Sequence, residues 1–313
     1  MARAAVIDVG TNSIKMVIGE SDNAGSVSIL DESSVNARLG EGLASARLIR
    51  TKALERGINA IAVHVANARG FGVDQIRIVG TNVIRDAVNS IEMTTNVKLL
   101  FNLHLEELSG EDEAEYAFLA ITGDPQLGGT DDPQMIVDSG GGSTEMIMGV
   151  GNQITSSVSI DIGAVRIMER FLKAIPSDNR SLADARRSIH KELRPYLGGK
   201  HPSRLICVGG SAVNLARIIY EIHPENTFEV HARRLALKDL EDLISKLAGM
   251  NLDERRSLIG LEPERADIIP GGALIIEQIL LILGLHETII SVRGLRHAVL
   301  FEMLGAGRHR SIS

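Results

Sequence analysis

The 313-residue chain reads as an α/β protein of two related domains. The stretches VIDVGTNSIKMVIG at 6–19 and IVDSGGGSTEMIMG at 136–149 align without a gap. Asp8 falls on Asp138, Gly10 on Gly140, Ser13 on Ser143, Met16 on Met146 and Gly19 on Gly149. Internal similarity of this kind points to a repeated architecture. Apolar strand-like runs mixed with helical periodicity recur in both halves. Between the copies lies the densest loop signal, GDPQLGGTDDP at 123–133. These observations divide the chain into a first domain, 1–125, and a second, 126–313.

The elements follow in order. AAVIDVG and KMVIGE are strands joined by the tight polar turn TNS, and SVSILDES and SVNARL continue the sheet. LIRTKALERGINAIAVHVANARG carries apolar residues at helical spacing and stops at Gly70 and Gly72. QIRIVGT is a strand and HLEEL a short one, followed by the helix EDEAEYAFLAIT. The pattern then restarts with MIVDSG, TEMIMGV and NQITSSVSI as strands. RLICVGG enters the helix SAVNLARIIYEI, further helices follow, and the end reads as the strand ETIISV and the helix GLRHAVLFEML.

Composition narrows the function classes. Hydrophobic residues make up 44% and charged residues 23%, as in soluble globular proteins, so Val, Ile, Leu, Ala and Met must fill cores in which aromatics are only 3%. The single cysteine, Cys207, excludes an internal disulfide and a cysteine-based zinc site, and fits a reducing compartment. MAR runs straight into a strand-like segment without an apolar leader, so a cytoplasmic protein is expected. The greasiest run, ALIIEQILLILGL at 273–285, is interrupted by Glu277 and Gln278 and reads as a buried helix rather than a membrane span. A net charge of −7 without a basic run argues against nucleic acid as the partner. It leaves room for a small anionic ligand held by local geometry.

In both repeats an aspartate ends an apolar strand and a turn of small residues follows. Such a turn can aim successive N–H groups at one point, and glycine admits a phosphate without a side chain in the way. Gly10, Thr11, Asn12 and Ser13 form the first turn; Gly140, Gly141, Gly142 and Ser143 form the second. Asp8 and Asp138 are placed to hold a magnesium ion, which takes one or two carboxylates and completes its shell with water and phosphate oxygens. A third turn, VGGSAVN at 208–214, has the strand–Gly–Gly–Ser–helix form of a phosphate or nucleotide contact. A lone glycine turn is usually only a hairpin; two in register, each with a strand-terminal aspartate, favour phosphate binding over a bare duplication.

DVGTNSIK and DSGGGSTE resemble the paired phosphate loops of the sugar kinase/heat-shock chaperone/actin superfamily. Within it, VIDVGTNS, RLGEGL, VGTNVIRDAVN, LSGEDEA, VDSGGGSTE, VGGSAVNLA and VRGLRHAVLFE resemble, in the same order, the exopolyphosphatase and guanosine pentaphosphate phosphohydrolase family. The resemblance spans residues 4 to about 304. It implies two ribonuclease-H-like domains facing each other across an active-site cleft, a homodimer, and magnesium (manganese as the alternative) as cofactor. It also implies hydrolysis of the terminal phosphate of inorganic polyphosphate, with guanosine pentaphosphate as the alternative substrate.

Hydrolysing a phosphoanhydride needs an in-line water, a group to orient or deprotonate it, and cations to offset developing charge. Ser109-Gly110-Glu111-Asp112 reads as a capping box, and acids are favoured in a helix's first turn. Glu113 lies beyond the box; the residue pattern alone leaves it between a solvated helix acid and a catalytic base. The resemblance implies the base. It also implies that Glu145, which replaces Lys15 of the first repeat, helps to hold the metal or the attacking water. Arg85 matches the arginine aimed at the phosphate chain. Arg38 and Lys15 are weaker cation candidates, and Arg296 reads equally as a helix-start arginine paired to a surface acid.

Three departures from the family pattern stand out. His297 replaces a common acid and Ala298 a glycine, which touches the local role of the last motif. Ser139 replaces Ile or Val and is expected to affect strand packing more than chemistry. Longer family members continue into a further helical region, so an open cleft with a preference for shorter polyphosphate is expected here. Two other function classes compete. A phosphotransferase of the same superfamily is disfavoured by Glu113 and by the hydrolase motif order. A non-catalytic sensor or scaffold is disfavoured by the intact set Asp8, Glu113, Asp138 and Glu145.

Overall fold

A computed structural model of the protein describes residues 2–22, 27–43 and 47–305. The chain forms two compact units, Met1–Gly123 with Leu295–Ser313, and Asp124–Gly294.

The first unit is built on a five-stranded sheet. Its strands are β1 (Ala2–Val9), β2 (Ile14–Ser21), β3 (Val27–Val35), β4 (Gln75–Gly80) and β5 (Leu105–Glu107), in the order β3-β2-β1-β4-β5. β1–β2–β3 is an antiparallel meander, whereas β4 and β5 run parallel to β1. Helix α1 (Thr51–Gly70) has the expected glycine stop, with Gly72 at φ +66°. SVNARL does not extend the sheet as a separate strand. β3 ends at Val35, and the chain then turns to bind the first glycine loop. Of the expected strand SVSILDES, Ser26 lies outside the described residues. Two helices that the sequence analysis leaves unassigned, α2 (Asn82–Asp86) and α3 (Ser90–Phe101), connect β4 to β5. Helix α4 (Gly110–Thr122) follows β5.

The second unit repeats the plan. Strands β6 (Pro133–Ser139), β7 (Thr144–Val150) and β8 (Gln153–Ile160) form the meander. Helices α5 (Ala164–Phe171) and α6 (Asn179–Leu197) lead to β9 (Arg204–Val208) and α7 (Gly209–Tyr220). Then come β10 (Arg234–Ala236), α8 (Leu237–Gly249), α9 (Leu252–Arg256), α10 (Ile269–Leu283) and β11 (Glu287–Ile290). The sheet order is β10-β11-β9-β6-β7-β8. Apart from the extra edge strand β10, this reproduces the first sheet. The shared order, with one antiparallel meander and two further parallel strands, is the ribonuclease-H-like arrangement that the resemblance implied.

The final helix, α11 (Leu295–Met303), belongs to the first unit, although the division at 126 assigned it to the second domain. The reason lies in β1. Ala5, Ile7 and Val9 face one core with α1, while Ala4 and Val6 face another with Tyr116, Ala120, Leu295, Val299 and Leu300. A strand buried on both faces reads as a continuous apolar run and needs a cover on each side. α4 and α11 supply the second cover. Each fully buried Ile or Leu contributes about 2–3 kcal/mol.

ALIIEQILLILGL forms most of α10, which is buried in the second core, and no helix among the described residues is long and apolar enough to cross a membrane. The polar pair within it is satisfied. Glu277, 2% exposed, accepts two hydrogen bonds from Arg186 at 2.7 and 2.8 Å, and Gln278 lies 3.2 Å from His190 Nδ1. Burying a carboxylate is tolerated when it is paired and hydrogen-bonded in this way.

Candidate active site

In the first unit Asp8 stands one residue before the end of β1, and Lys15 is its cross-strand partner on β2. The turn between them closes through the Gly10 N–H, which donates to the Ser13 carbonyl at 3.2 Å, and Thr11, Asn12 and Ser13 are buried. The RLGEGL segment buttresses this loop. Arg38 N–H donates to the Asn12 carbonyl at 2.8 Å, and Gly40 N–H to the Thr11 carbonyl at 2.9 Å. A β-carbon at Gly40 would come within 2.1 Å of Thr11 Cγ2, so only glycine fits there. Arg38 itself holds a left-handed backbone, φ +50°, which is uncommon for a side chain of its size.

Arg85 and Glu113 meet on the same sheet edge. β1, β4 and β5 are parallel, and in open α/β sheets ligands bind beyond the carboxyl ends of such strands. Thr81 N–H donates to the Val9 carbonyl at 3.2 Å, and Leu108 N–H to the Gly80 carbonyl at 2.9 Å, which brings the three strand ends together. Arg85 lies in α2 just after β4. Its Nη1 donates to the Leu108 carbonyl at 2.7 Å and touches Glu113 Oε1. The expected capping box is present: Asp112 N–H donates to Ser109 Oγ at 3.0 Å, and Ser109 N–H to Asp112 Oδ2 at 3.1 Å. Glu113 follows the box, 6% exposed, so the solvated-acid reading fails for it. A buried carboxylate needs a counter-charge, and Arg85 supplies it.

The second unit repeats the loop. Gly140 N–H donates to the Ser143 carbonyl at 3.0 Å, and the first turn of α5 grips the loop from behind. Ala164 N–H donates to the Gly140 carbonyl at 2.9 Å and Val165 N–H to the Gly141 carbonyl at 3.0 Å. A β-carbon at Gly163 would sit 2.3 Å from the Gly141 oxygen. Asp138 and Glu145 are directly paired across β6 and β7 and therefore share one face of the sheet. Glu145 is 4% exposed and accepts a hydrogen bond from Ser159 Oγ at 2.8 Å.

The VGGSAVN turn has a sharper role than its sequence form announces. Gly209 follows β9 with φ +83°, and a β-carbon there would lie 2.2 Å from Asp138 Oδ1. The glycine thus makes room for the carboxylate. A β-carbon at Gly210 would meet the Arg265 guanidinium at 2.4 Å.

No group of three or more His, Cys, Asp or Glu residues among the described residues forms a metal cage. Magnesium does not require one, because two carboxylates plus water and phosphate oxygens suffice. The cross-strand pair Asp138–Glu145 fits that donor set. Asp8 lies in the other unit. Asp8, Gly10, Thr11, Asn12, Ser13, Arg85 and Glu113 therefore belong to the first unit, and Asp138, Gly140, Gly141, Gly142, Ser143 and Glu145 to the second.

Other residues are accounted for structurally. Arg296 Nη2 lies 3.4 Å from Glu32 Oε1, the acid pairing that the sequence allowed, and buried His297 bonds to the same carboxylate. Burial alone would raise the Glu32 carboxyl, yet the His297 hydrogen bond and the Arg296 charge bring it down to about 2. Ser139 is 1% exposed, and its Oγ has no hydrogen-bond partner among the described residues. A cluster the sequence analysis missed joins residues far apart in the chain. Asp124 Oδ2 lies 3.2 Å from His231 Nε2 and 3.1 Å from Arg293 Nη1, close to where the chain enters and leaves the second unit. No short motif announces it.

Two copies of one sheet, each carrying an aspartate and a tight glycine loop, with an arginine paired to a buried glutamate beside the first, define a phosphate-handling α/β protein. The chain belongs to the Ppx/GppA phosphatase family, whose sequence model matches residues 17–306. It is 30% identical over 291 residues to exopolyphosphatase 2 of Mycobacterium tuberculosis, covering 89% of this chain and 90% of that protein. Among solved structures, an exopolyphosphatase from Cytophaga hutchinsonii is similar with a TM-score of 0.89 and 25% identity, over 98% of this chain and 99% of the other. The Aquifex aeolicus family member is similar with a TM-score of 0.81 and 27% identity, over 97% of each chain.

Proposed function

We propose that the protein is an exopolyphosphatase that removes the terminal phosphate of inorganic polyphosphate, with Glu113 as the base. The observation that carries the reading is the pairing of buried Glu113 with half-buried Arg85 at the carboxyl edge of β1, β4 and β5, beside the first glycine loop. The names of the relatives support the substrate class. In the reaction, water adds to the terminal phosphorus and gives its proton to Glu113. The bond from that phosphorus to the bridging oxygen breaks, releasing orthophosphate and a chain one phosphate shorter. Backbone N–H groups of the first glycine loop and the Arg85 guanidinium, both in the first unit, offset the charge on the phosphate oxygens, and the second loop offers like donors in its own unit. Asp138 and Glu145 are assigned to a magnesium or manganese ion, which when bound would supply further counter-charge. A homodimer is the assembly that goes with this reading.

The test is phosphate release from medium-chain polyphosphate with magnesium, wild type against Glu113→Gln, with guanosine pentaphosphate in a parallel assay. Release that falls about 10²–10⁴-fold in the variant is expected for loss of a general base. Equal release by both proteins removes Glu113 from the reaction. Release from the nucleotide alone moves the substrate assignment to guanosine pentaphosphate.

A further inference from the structure

We infer that Ser159 is a positioning residue that sets the orientation of Glu145, an inference that rests on the role proposed for Glu145 above. The three meander strands of the second unit bring Asp138, Glu145 and Ser159 into one cross-strand row, since Asp138 pairs with Glu145 and Glu145 with Ser159. Residues directly opposite each other in a sheet point to the same face. The Ser159 hydroxyl donates to Glu145 Oε1 at 2.8 Å, so one carboxylate oxygen is tied to β8.

The pairing depends on an irregularity that both sheets share. In β7–β8 the register shifts between Met148 and Gly149, which adds Thr155 to β8. In β2–β3 it shifts between Ile18 and Gly19, which adds Leu30 to β3. A β-bulge moves every residue beyond it by one position. Without it, Val158 rather than Ser159 would stand opposite Glu145. The first sheet carries the same row with different content, Asp8–Lys15–Ser34. There Ser34 is exposed beside a lysine; in the second sheet the serine is half-buried and bonded to an almost fully buried carboxylate. Serine is not a favoured strand residue, and a buried carboxylate requires fixed donors. A serine stands at this place in both rows, and opposite the acid that distinguishes the second repeat its hydroxyl bonds the carboxylate.

Holding a carboxylate in its productive rotamer lowers the barrier without adding a contact to substrate. The test compares Ser159→Ala, Ser159→Thr and Glu145→Gln singly, and Ser159→Ala combined with Glu145→Gln. Phosphate release is read as kcat and KM, binding of a short polyphosphate by calorimetry, and folding by thermal melting. Expected are a kcat about tenfold lower for Ser159→Ala, with KM and calorimetric affinity within about twofold of wild type, and recovery in Ser159→Thr. In the Glu145→Gln background, adding Ser159→Ala should change kcat by less than about twofold, because the two act as a unit. An unchanged kcat in Ser159→Ala, or an equal further loss in the Glu145→Gln background, overturns the inference. Full activity in Glu145→Gln removes Glu145 from the reaction and the inference with it. Absence of release by the wild type instead sinks the proposed function itself, so the failures are distinguishable.

Discussion

Arg85 Nη1 touches Glu113 Oε1 and at the same time donates to the Leu108 carbonyl at 2.7 Å, one residue after β5. The arginine is thus anchored to the backbone that leads into α4, and its charge is fixed against the acid that α4 presents.

Replacing Arg85 by lysine keeps the charge but loses the planar fork that serves a carbonyl and a carboxylate at once. We expect kcat/KM to fall by about 10- to 100-fold in Arg85→Lys. In Arg85→Ala the protein should also lose about 3–5 kcal/mol of stability, because the buried Glu113 carboxylate loses the guanidinium beside it. Urea denaturation should show much of that loss restored in Arg85→Ala/Glu113→Gln, where the buried charge is gone. Equal stability of both variants would show that the pair carries no buried charge.

Gly209→Ala is expected to cripple the enzyme while leaving it folded. The added methyl has only 2.2 Å to Asp138 Oδ1, and φ +83° is strained for alanine. The carboxylate must move, so polyphosphatase activity should drop by about 100-fold with a loss of about 1–3 kcal/mol in stability. Wild-type kinetics in this variant would show that Asp138 needs no fixed position.

Glu262 provides a pH signature of the second unit. It accepts from Arg265 Nε at 2.7 Å and from Arg217 Nη2 at 2.9 Å. Burial opposes its ionisation, but the charges of Arg265 and Arg217 and their hydrogen bonds hold the carboxyl at about 2, against an ordinary 4.5. A depressed carboxyl stabilises the fold above its unfolded value and loses that contribution as protons bind. The stability gap between wild type and Glu262→Gln should be about 3 kcal/mol at neutral pH, and should close as pH falls from 4.5 towards 2. Chemical denaturation across that range reads it directly; a gap that does not change with pH would remove the ion pairs from the stability of this unit.

Ser139→Val should raise the melting temperature without lowering activity. The Ser139 hydroxyl is buried without a hydrogen-bond partner among the described residues, and removing such a group recovers about 1–3 kcal/mol of desolvation. A lower melting temperature would show that the site cannot hold the larger side chain.

The motifs were legible because they are local. A strand-terminal aspartate, a run of small residues and a second strand declare themselves within fourteen residues, and repeating the pattern shows that the fold is duplicated. The capping box was legible for the same reason, since all its atoms come from four consecutive residues. Helix α3 was not, because SIEMTTNVKLLF mixes β-branched residues with a weak apolar stripe. The Asp124–His231–Arg293 cluster joins three distant segments and leaves no local trace.

The sequence by itself determined the two repeats, the family, and which side chains are available for phosphate chemistry, because these depend on residue identity and short spacing. Tertiary structure decided what each residue faces. It sent α11 back to the first unit, because β1 is apolar on both faces and needs a second cover. It paired Arg85 with Glu113 by aligning the ends of parallel strands. It set Ser159 opposite Glu145 through one extra residue in β8, since side chains alternate with a period of two and a single-residue shift exchanges the faces of the sheet.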